Sequence, residues 1–224
     1  MSNPDWSAVD AYIVGKLIGD DAVLAEALEN NRRAELPPID VSPAQGKLLQ
    51  LLARGVGAKR ILEIGTLGGY STIWLARALD QGGALVTLEL DSQYAAVARR
   101  NIDHAGLGDA VDIRIGPACD SLEAMCSGGE AAFDFIFIDA DKENYAAYLE
   151  YAIRLAHPGT MLVFDNVVRQ GEVINPQSSD PKVPGTRELY DALQDNPQID
   201  ATAIQTVGNK KWDGFLLALV RSKR

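Results

Sequence analysis

Two apolar runs of the sequence end in side chains that can bind a cation. Asp139 follows the run 133–138, and Asp165 with Asn166 follows the run 160–164. If both runs are strands of one parallel sheet, their carboxyl ends meet at the same edge, where ligands bind in open α/β sheets. The three side chains then supply hard oxygen ligands, a set that suits Mg²⁺ or Mn²⁺ and does not suit zinc.

Lys142 lies three residues after Asp139. Beside a bound cation its ammonium form is disfavoured, so we expect its pKa to fall from about 10.4 towards that of a general base. Taken singly, an aspartate at a strand end is usually a loop acid, and a lysine is usually a solvated surface residue. The joint placement of these residues after neighbouring strands is what favours a metal site with a base beside it.

A glycine-rich turn follows the first apolar run, 60–64. The segment from Glu63 to Ser71 has glycines at offsets zero, three and four from Gly65, and a helix follows. Glycine lets the backbone approach a ligand, and the start of the helix offers free N–H groups. Because the NAD fingerprint needs offsets of zero, two and five, a dinucleotide is disfavoured.

Two glutamates flank this turn. A carboxylate at Glu63 would repel a pyrophosphate but attract the ammonium group of a methionine moiety. Glu89 ends the second predicted strand, where a Rossmann-like sheet places a carboxylate against ribose hydroxyls. The pair predicts a pocket for an aminoacyl nucleoside; the alternative is an ordinary turn with two solvated strand ends.

The elements that must position these residues alternate between strand and helix. Continuous apolar runs such as 135–138 are typical of strands that are covered on both faces. We predict a Rossmann-like, doubly wound α/β fold with a mostly parallel seven-stranded sheet, N-terminal helices and a C-terminal antiparallel hairpin strand. The predicted strands are 60–64, 84–89, 111–115, 133–138, 160–164, 199–207 and 215–220; the predicted helices are two within 6–30 and then 42–54, 71–79, 92–105, 119–125, 143–156 and 186–195.

The chain of 224 residues is predicted to form a single domain, 1–224. Residues 1–40 would form an N-terminal helical segment and residues 41–224 the Rossmann-like core. The polar, proline-containing segment 169–185 is long enough to be functional, and we predict that it forms a lid over the site.

Composition excludes several classes of function. The net charge of −10 disfavours nucleic acid and anionic membrane surfaces as partners. No stretch of about 18 apolar residues occurs, so no membrane interaction is expected. Two cysteines give neither a disulfide framework nor a structural zinc site. With no recognisable signal peptide, we expect a cytoplasmic protein.

Together these motifs resemble the family of caffeoyl-CoA and catechol O-methyltransferases, particularly its small bacterial members. The resemblance extends from about Val41 to the C-terminus and is carried by residues 63–71, 88–89, 133–145 and 163–167. It implies an O-methyltransferase that uses S-adenosylmethionine and Mg²⁺ (or Mn²⁺), methylates a catechol-like aromatic diol and forms a homodimer. It also implies that the cofactor is bound by Val41, Glu63, Gly65, Thr66, Ser71, Glu89, Ala118 and Asp139, the metal by Asp139, Asp165 and Asn166, and that Lys142 is the catalytic base.

The sequence departs from the animal enzymes of this family at one position. These enzymes have a tryptophan immediately before the lysine, where Asp141 stands here, so the acceptor does not follow from the resemblance. Three alternatives to a small-molecule methyltransferase are a tRNA nucleoside O-methyltransferase, a non-catalytic S-adenosylmethionine-binding module and an NAD-linked oxidoreductase. They are opposed respectively by the net charge, by Lys142 with the acidic cluster, and by the glycine offsets.

Overall fold

A seven-stranded sheet runs through the computed structural model, which describes residues 5–222. Within those residues the strands are β1 (Arg60–Ile64), β2 (Ala84–Glu89), β3 (Val111–Ile115), β4 (Phe133–Ile138), β5 (Ala156–Asp165), β6 (Ile199–Gly208) and β7 (Lys211–Val220). The helices are α1 (Trp6–Leu17), α2 (Ala22–Arg33), α3 (Pro43–Gly55), α4 (Tyr70–Ala76), α5 (Ser92–His104), α6 (Ala118–Gly128), α7 (Tyr145–Arg154) and α8 (Val183–Leu193).

The strand order is β3-β2-β1-β4-β5-β7-β6. Strands β1 to β5 are parallel, and β7 is antiparallel to both β5 and β6. The predicted Rossmann-like sheet with a C-terminal antiparallel hairpin is therefore confirmed. Among residues 5–222, no helix is long and apolar enough to cross a membrane.

The burial of the central strand β4 shows that helices cover both faces of the sheet. Its residues 135–138 are completely buried, and they alternate between two hydrophobic clusters on opposite faces of the sheet. Ile136 and Ile138 pack with α6 and α7, whereas Phe135 and Phe137 pack with α3 and α4. Burial on both faces is the reason for an unbroken apolar run in place of an alternating one.

The register of the parallel strands brings the candidate residues into one row. Ile64 of β1 pairs with Leu88 of β2 and with Ile138 of β4, and Ile138 pairs in turn with Phe164 of β5. The residues that follow these four in the chain are, in the spatial order of the strands, Glu89, Gly65, Asp139 and Asp165. Residues from four separate motifs thus lie side by side at the carboxyl edge of the sheet.

Several element boundaries differ from the prediction. Helix α8 begins at Val183, earlier than predicted, because Pro184 is accommodated in the first turn, where its missing N–H costs nothing. The segment predicted as a lid contains short 3₁₀ turns within Arg169–Ile174, which are interrupted by a kink at Gln170 and Gly171, where φ is 55° and 85°. The turn between β6 and β7 consists only of residues 209–210, so both strands are longer than predicted.

The N-terminal helices differ in how they pack. Helix α2 buries Leu24, Ala27 and Asn31 against the main fold, whereas α1 has no buried residue. Asp21 caps α2 and also pairs with Arg77, at 2.6 Å between Oδ2 and Nη1, which ties this segment to the residue after α4. The first helix instead presents several large apolar side chains to solvent, among them Tyr12 and Leu17.

Candidate active site

A cavity of about 560 Å³ opens at the carboxyl edge of the sheet. Its wall is built from the segment before α3, the turn after β1, and the residues that follow β2, β3 and β4. Seven of the residues predicted to bind a cofactor lie in this wall: Val41, Gly65, Thr66, Ser71, Glu89, Ala118 and Asp139. The structure therefore brings together residues that are separated by almost 100 positions in the sequence.

The wall of this cavity is acidic. Asp40, Glu89, Asp139 and Asp141 line it, and the described part of the chain contributes no Lys, Arg or His to the lining. Partial burial raises the pKa of Asp40, while the Asn31 side chain donates to its Oδ1 at 2.9 Å. A wall that exposes several carboxylates and no basic side chain to the cavity favours a ligand that carries positive charge and disfavours a phosphate.

The glycine turn is fixed by close backbone contacts. Gly65 has φ of 102°, and a Cβ added there would lie 2.2 Å from the carbonyl oxygen of Asp139. Only glycine fits this position, because both the backbone conformation and the available space exclude a side chain. Glu89 holds the turn from the other side, since its Oε2 accepts from the backbone N–H groups of Thr66 and Leu67 at 3.2 and 2.7 Å.

Glu63 is the one predicted cofactor residue that is absent from the cavity wall. It is completely buried beneath the wall, where it accepts hydrogen bonds from Ser71 Oγ at 2.6 Å, Thr87 Oγ1 at 2.7 Å and Thr72 Oγ1 at 2.5 Å. Burial raises the pKa of its carboxyl to about 7, against the effect of the three hydroxyl donors. Because Ser71 does line the cavity, Glu63 can act on a ligand through this hydroxyl.

Lys142 and Asp139 form an ion pair at the border of the cavity. Lys142 Nζ lies 2.7 Å from Asp139 Oδ1, and the lysine side chain is only 4% exposed. The 3₁₀ helix Lys142–Asn144, between β4 and α7, sets this arrangement by turning the chain back immediately after the strand. The ammonium also lies 4.9 Å from the centre of the Tyr145 ring.

Asp165 and Asn166 complete the predicted cluster on the neighbouring strand. Asp165 is buried, and its Oδ1 accepts from the backbone N–H of Asn166 at 2.8 Å. Burial and the negative charge of Asp139 raise the pKa of Asp165, whereas Lys142 opposes this effect. Asn166 adopts φ of 55°, a left-handed conformation that asparagine tolerates better than most residues.

These side chains fit a hard divalent cation. The described residues contain no group of three or more His, Cys, Asp or Glu side chains arranged as a metal site. The donors here would be two carboxylates and the amide of Asn166, which together suit Mg²⁺ or Mn²⁺. Burial and then the negative charge of Asp139 raise the pKa of Asp165, and a cation held by these residues would offset the second of these effects.

The structure adds wall residues that sequence reasoning missed. Tyr148 donates to Oδ1 of Asp141 at 2.5 Å, and both side chains line the cavity near Cys119. No local spacing indicates this pair, since Asp141 lies before the 3₁₀ helix and Tyr148 lies within α7. Asp40 likewise carries no signal, since it lies in an irregular segment. None of the residues 169–185 lines the cavity, so the predicted lid is not part of its wall.

Comparison with known proteins identifies the family. The model of the O-methyltransferase family matches residues 16–220. The chain belongs to this family. The prediction of an S-adenosylmethionine-dependent O-methyltransferase related to the caffeoyl-CoA and catechol enzymes is therefore confirmed.

Relatives of this O-methyltransferase match it over nearly their whole length. A catechol O-methyltransferase of Niastella koreensis is 49% identical over 99% of this chain and 100% of its own. A catechol O-methyltransferase of Mycobacterium tuberculosis is 50% identical, with 97% of each chain covered. The crystal structure of an O-methyltransferase from Bacillus cereus in complex with S-adenosylhomocysteine (SAH) superposes with a TM-score of 0.94 at 54% identity, covering 96% of this chain and 98% of that one.

Proposed function

We propose that this O-methyltransferase transfers the methyl group of S-adenosylmethionine to one hydroxyl of a catechol-like, vicinal dihydroxy aromatic small molecule, with Mg²⁺ or Mn²⁺ bound beside it. The observation that carries the proposal is the position of Asp139. This residue lines the acidic cavity, pairs with Lys142 and neighbours Asp165. A cofactor pocket and a metal-and-base cluster therefore share one side chain.

The chemistry of the cavity supports the cofactor. S-adenosylmethionine carries a sulfonium and an ammonium group, which suit a wall lined by carboxylates. We assign its binding to Val41, Gly65, Thr66, Ser71, Glu89, Ala118 and Asp139, with Glu63 acting through Ser71. The SAH bound in the Bacillus cereus relative supports a cofactor of this type.

The chemistry of the cluster supports a diol as acceptor. Asp139, Asp165 and Asn166 would hold the metal, which when bound would favour ionisation of a coordinated hydroxyl. Lys142 would accept the proton of that hydroxyl. The ion pair with Asp139, at 2.7 Å, places the amine of Lys142 beside one of the proposed metal ligands. The names of the two catechol O-methyltransferase relatives support this acceptor class.

Isothermal titration calorimetry with SAH, NADH and tRNA separates this proposal from its alternatives. We expect micromolar or tighter binding of SAH and none of NADH, because no cation in the described cavity wall would bind a pyrophosphate. Salt-sensitive tRNA binding would instead favour the tRNA nucleoside methyltransferase. Binding of SAH without methyl transfer to any diol would favour the non-catalytic module.

We also propose that the chain acts as one domain, forms a homodimer and is cytoplasmic. All seven strands share one sheet, and α2 packs on α5, which supports a single domain.

The exposed apolar residues Val9, Tyr12 and Leu17 of α1 support burial against a second copy. The free thiols of Cys119 and Cys126 suit a reducing compartment. Light scattering should give twice the mass of one chain, and Leu17→Glu should reduce it to that of a monomer.

A further inference from the structure

The side chain of Tyr145 lies between the ends of the two strands that carry the carboxylates. It is completely buried at the start of α7. Its hydroxyl donates to the carbonyl oxygen of Asp165 at 2.7 Å and lies 3.4 Å from the carbonyl oxygen of Ile138. One hydroxyl group therefore lies between the last backbone carbonyl of β4 and that of β5.

The ring of Tyr145 has its own contacts in the same cluster. Lys142 Nζ lies 4.9 Å from the ring centre, within the range of a cation–π interaction. The edge of the ring meets Phe164, with centroids 5.4 Å apart and planes inclined at 70°. The Tyr145 ring thus contacts the Lys142 ammonium on one side. Phe164, the residue before Asp165, packs against the ring and restricts its position.

The backbone of Lys142 is held from the opposite direction. A Cβ added to Gly185 of α8 would lie 2.2 Å from the carbonyl oxygen of Lys142, so the two backbones are in direct contact. Helix α8 therefore prevents the 3₁₀ helix from moving outward, while the hydroxyl and ring of Tyr145 restrict movement within the cluster. A buried, hydrogen-bonded tyrosine with these contacts fixes distances more strongly than packing alone.

We propose that Tyr145 is a positioning residue, which sets the separation of Asp139 and Asp165 and the orientation of the Lys142 ammonium. This inference rests on the proposed function, since it assigns Tyr145 to the same metal site and base. Removing the hydroxyl frees the end of β5 to shift relative to β4. The expected consequence is a weaker metal site and slower proton transfer, with cofactor binding unchanged, because the side chain that is freed to shift is that of Asp165, which does not line the cavity.

The test compares Tyr145→Phe with Tyr190→Phe. Tyr190 is a matched control because its hydroxyl donates to the backbone oxygen of Val167, at 3.2 Å, and makes no hydrogen bond to Asp139 or Asp165. Binding of Mn²⁺ alone is measured by electron paramagnetic resonance, and kcat and KM for S-adenosylmethionine are measured with catechol. We expect Y145F to weaken Mn²⁺ binding about tenfold and to lower kcat by a similar factor at constant KM, whereas Y190F stays within about twofold of wild type.

The possible outcomes separate this inference from the proposed function. If wild-type protein binds no Mn²⁺, the metal site fails, and the role of Tyr145 fails with it. If wild type binds Mn²⁺ and Y145F binds it equally well with unchanged kcat, only the positioning role is overturned. A Y145F protein that does not fold would also overturn it, because the hydroxyl would then serve the stability of the fold.

Discussion

Lys142 Nζ lies 2.7 Å from Oδ1 of Asp139, and the lysine is almost fully enclosed. The aspartate in turn lines the cavity assigned to the cofactor. Lys142 is the enclosed member of the pair, whereas Asp139 is 22% exposed and faces the cavity, so a variant without the lysine leaves a carboxylate that water can still reach. The cofactor pocket and the proposed base are therefore linked through one ion pair.

Replacing Lys142 by Ala should remove the base and spare the cofactor. We expect kcat for methyl transfer to catechol to fall by about 10²- to 10⁴-fold, the usual contribution of a general base. Lys59→Ala is the control, since Lys59 immediately precedes β1 and so lies at the end of that strand opposite the site. Binding of SAH, measured by calorimetry, should change little in both variants. Wild-type turnover by K142A would exclude Lys142 as the base.

Removing divalent cations should abolish activity without releasing SAH. Asp165 and Asn166 do not line the cavity, so the cofactor contacts survive when the cation is chelated. The measurement is the initial rate with excess EDTA, then with Mg²⁺ or Mn²⁺ restored. Full activity after exhaustive chelation would contradict the assignment of the metal site.

Asp165→Asn should raise the Mg²⁺ concentration needed for half-maximal rate by about tenfold or more.

Gly65→Ala tests the glycine turn. The new Cβ would lie 2.2 Å from the backbone oxygen of Asp139, so the turn must shift and take Thr66 with it. Gly106→Ala is the matched control, because Gly106 also has positive φ but no atom within 4 Å of the added Cβ. G106A should lose about 1 kcal/mol of stability and keep its affinity for SAH. G65A should lose more stability and bind SAH at least about tenfold more weakly; equal affinities would disprove the close-approach argument.

Glu63 should make stability depend on pH. Burial raises its pKa from 4.5 to about 7, so the folded protein retains a proton that the unfolded chain has released. The contribution to stability is complete below about pH 4.5 and is lost as pH rises through about 7. The loss is on the order of 3 kcal/mol. Urea unfolding between pH 5 and 8 should show this decline in wild type and a shallower one in Glu63→Gln; parallel curves would place the titration elsewhere.

The layered fold could be predicted because the local patterns agree with one another. The unbroken apolar run of β4 needs cover on both faces, and parallel pairing then aligns the strand ends that carry Gly65, Glu89, Asp139 and Asp165. The place of each candidate on its strand was therefore readable from spacing alone. Ser42 before Pro43 likewise indicated the start of α3 correctly.

Other features depend on tertiary packing and could not be read from the sequence. The sequence predicts that Glu63 faces the ligand, but hydroxyl groups of Ser71, Thr72 and Thr87 donate to its carboxylate beneath the wall. The polar segment predicted as a lid is hydrogen-bonded to α8, since the Arg187 side chain donates to the backbone oxygens of residues 172, 173 and 175. The sequence shows that Glu63 and the segment 169–185 are polar, but it contains no information about which partners satisfy them.

The central claim is methyl transfer to a vicinal diol, and the most direct test uses S-adenosylmethionine with a labelled methyl group. Purified protein is incubated with Mg²⁺ and either catechol or resorcinol, whose two hydroxyls are too far apart to bind one cation together. We predict labelled monomethyl ether and an equal amount of SAH from catechol, and little or no product from resorcinol. No labelled ether from catechol, or equal methylation of both compounds, would contradict the account.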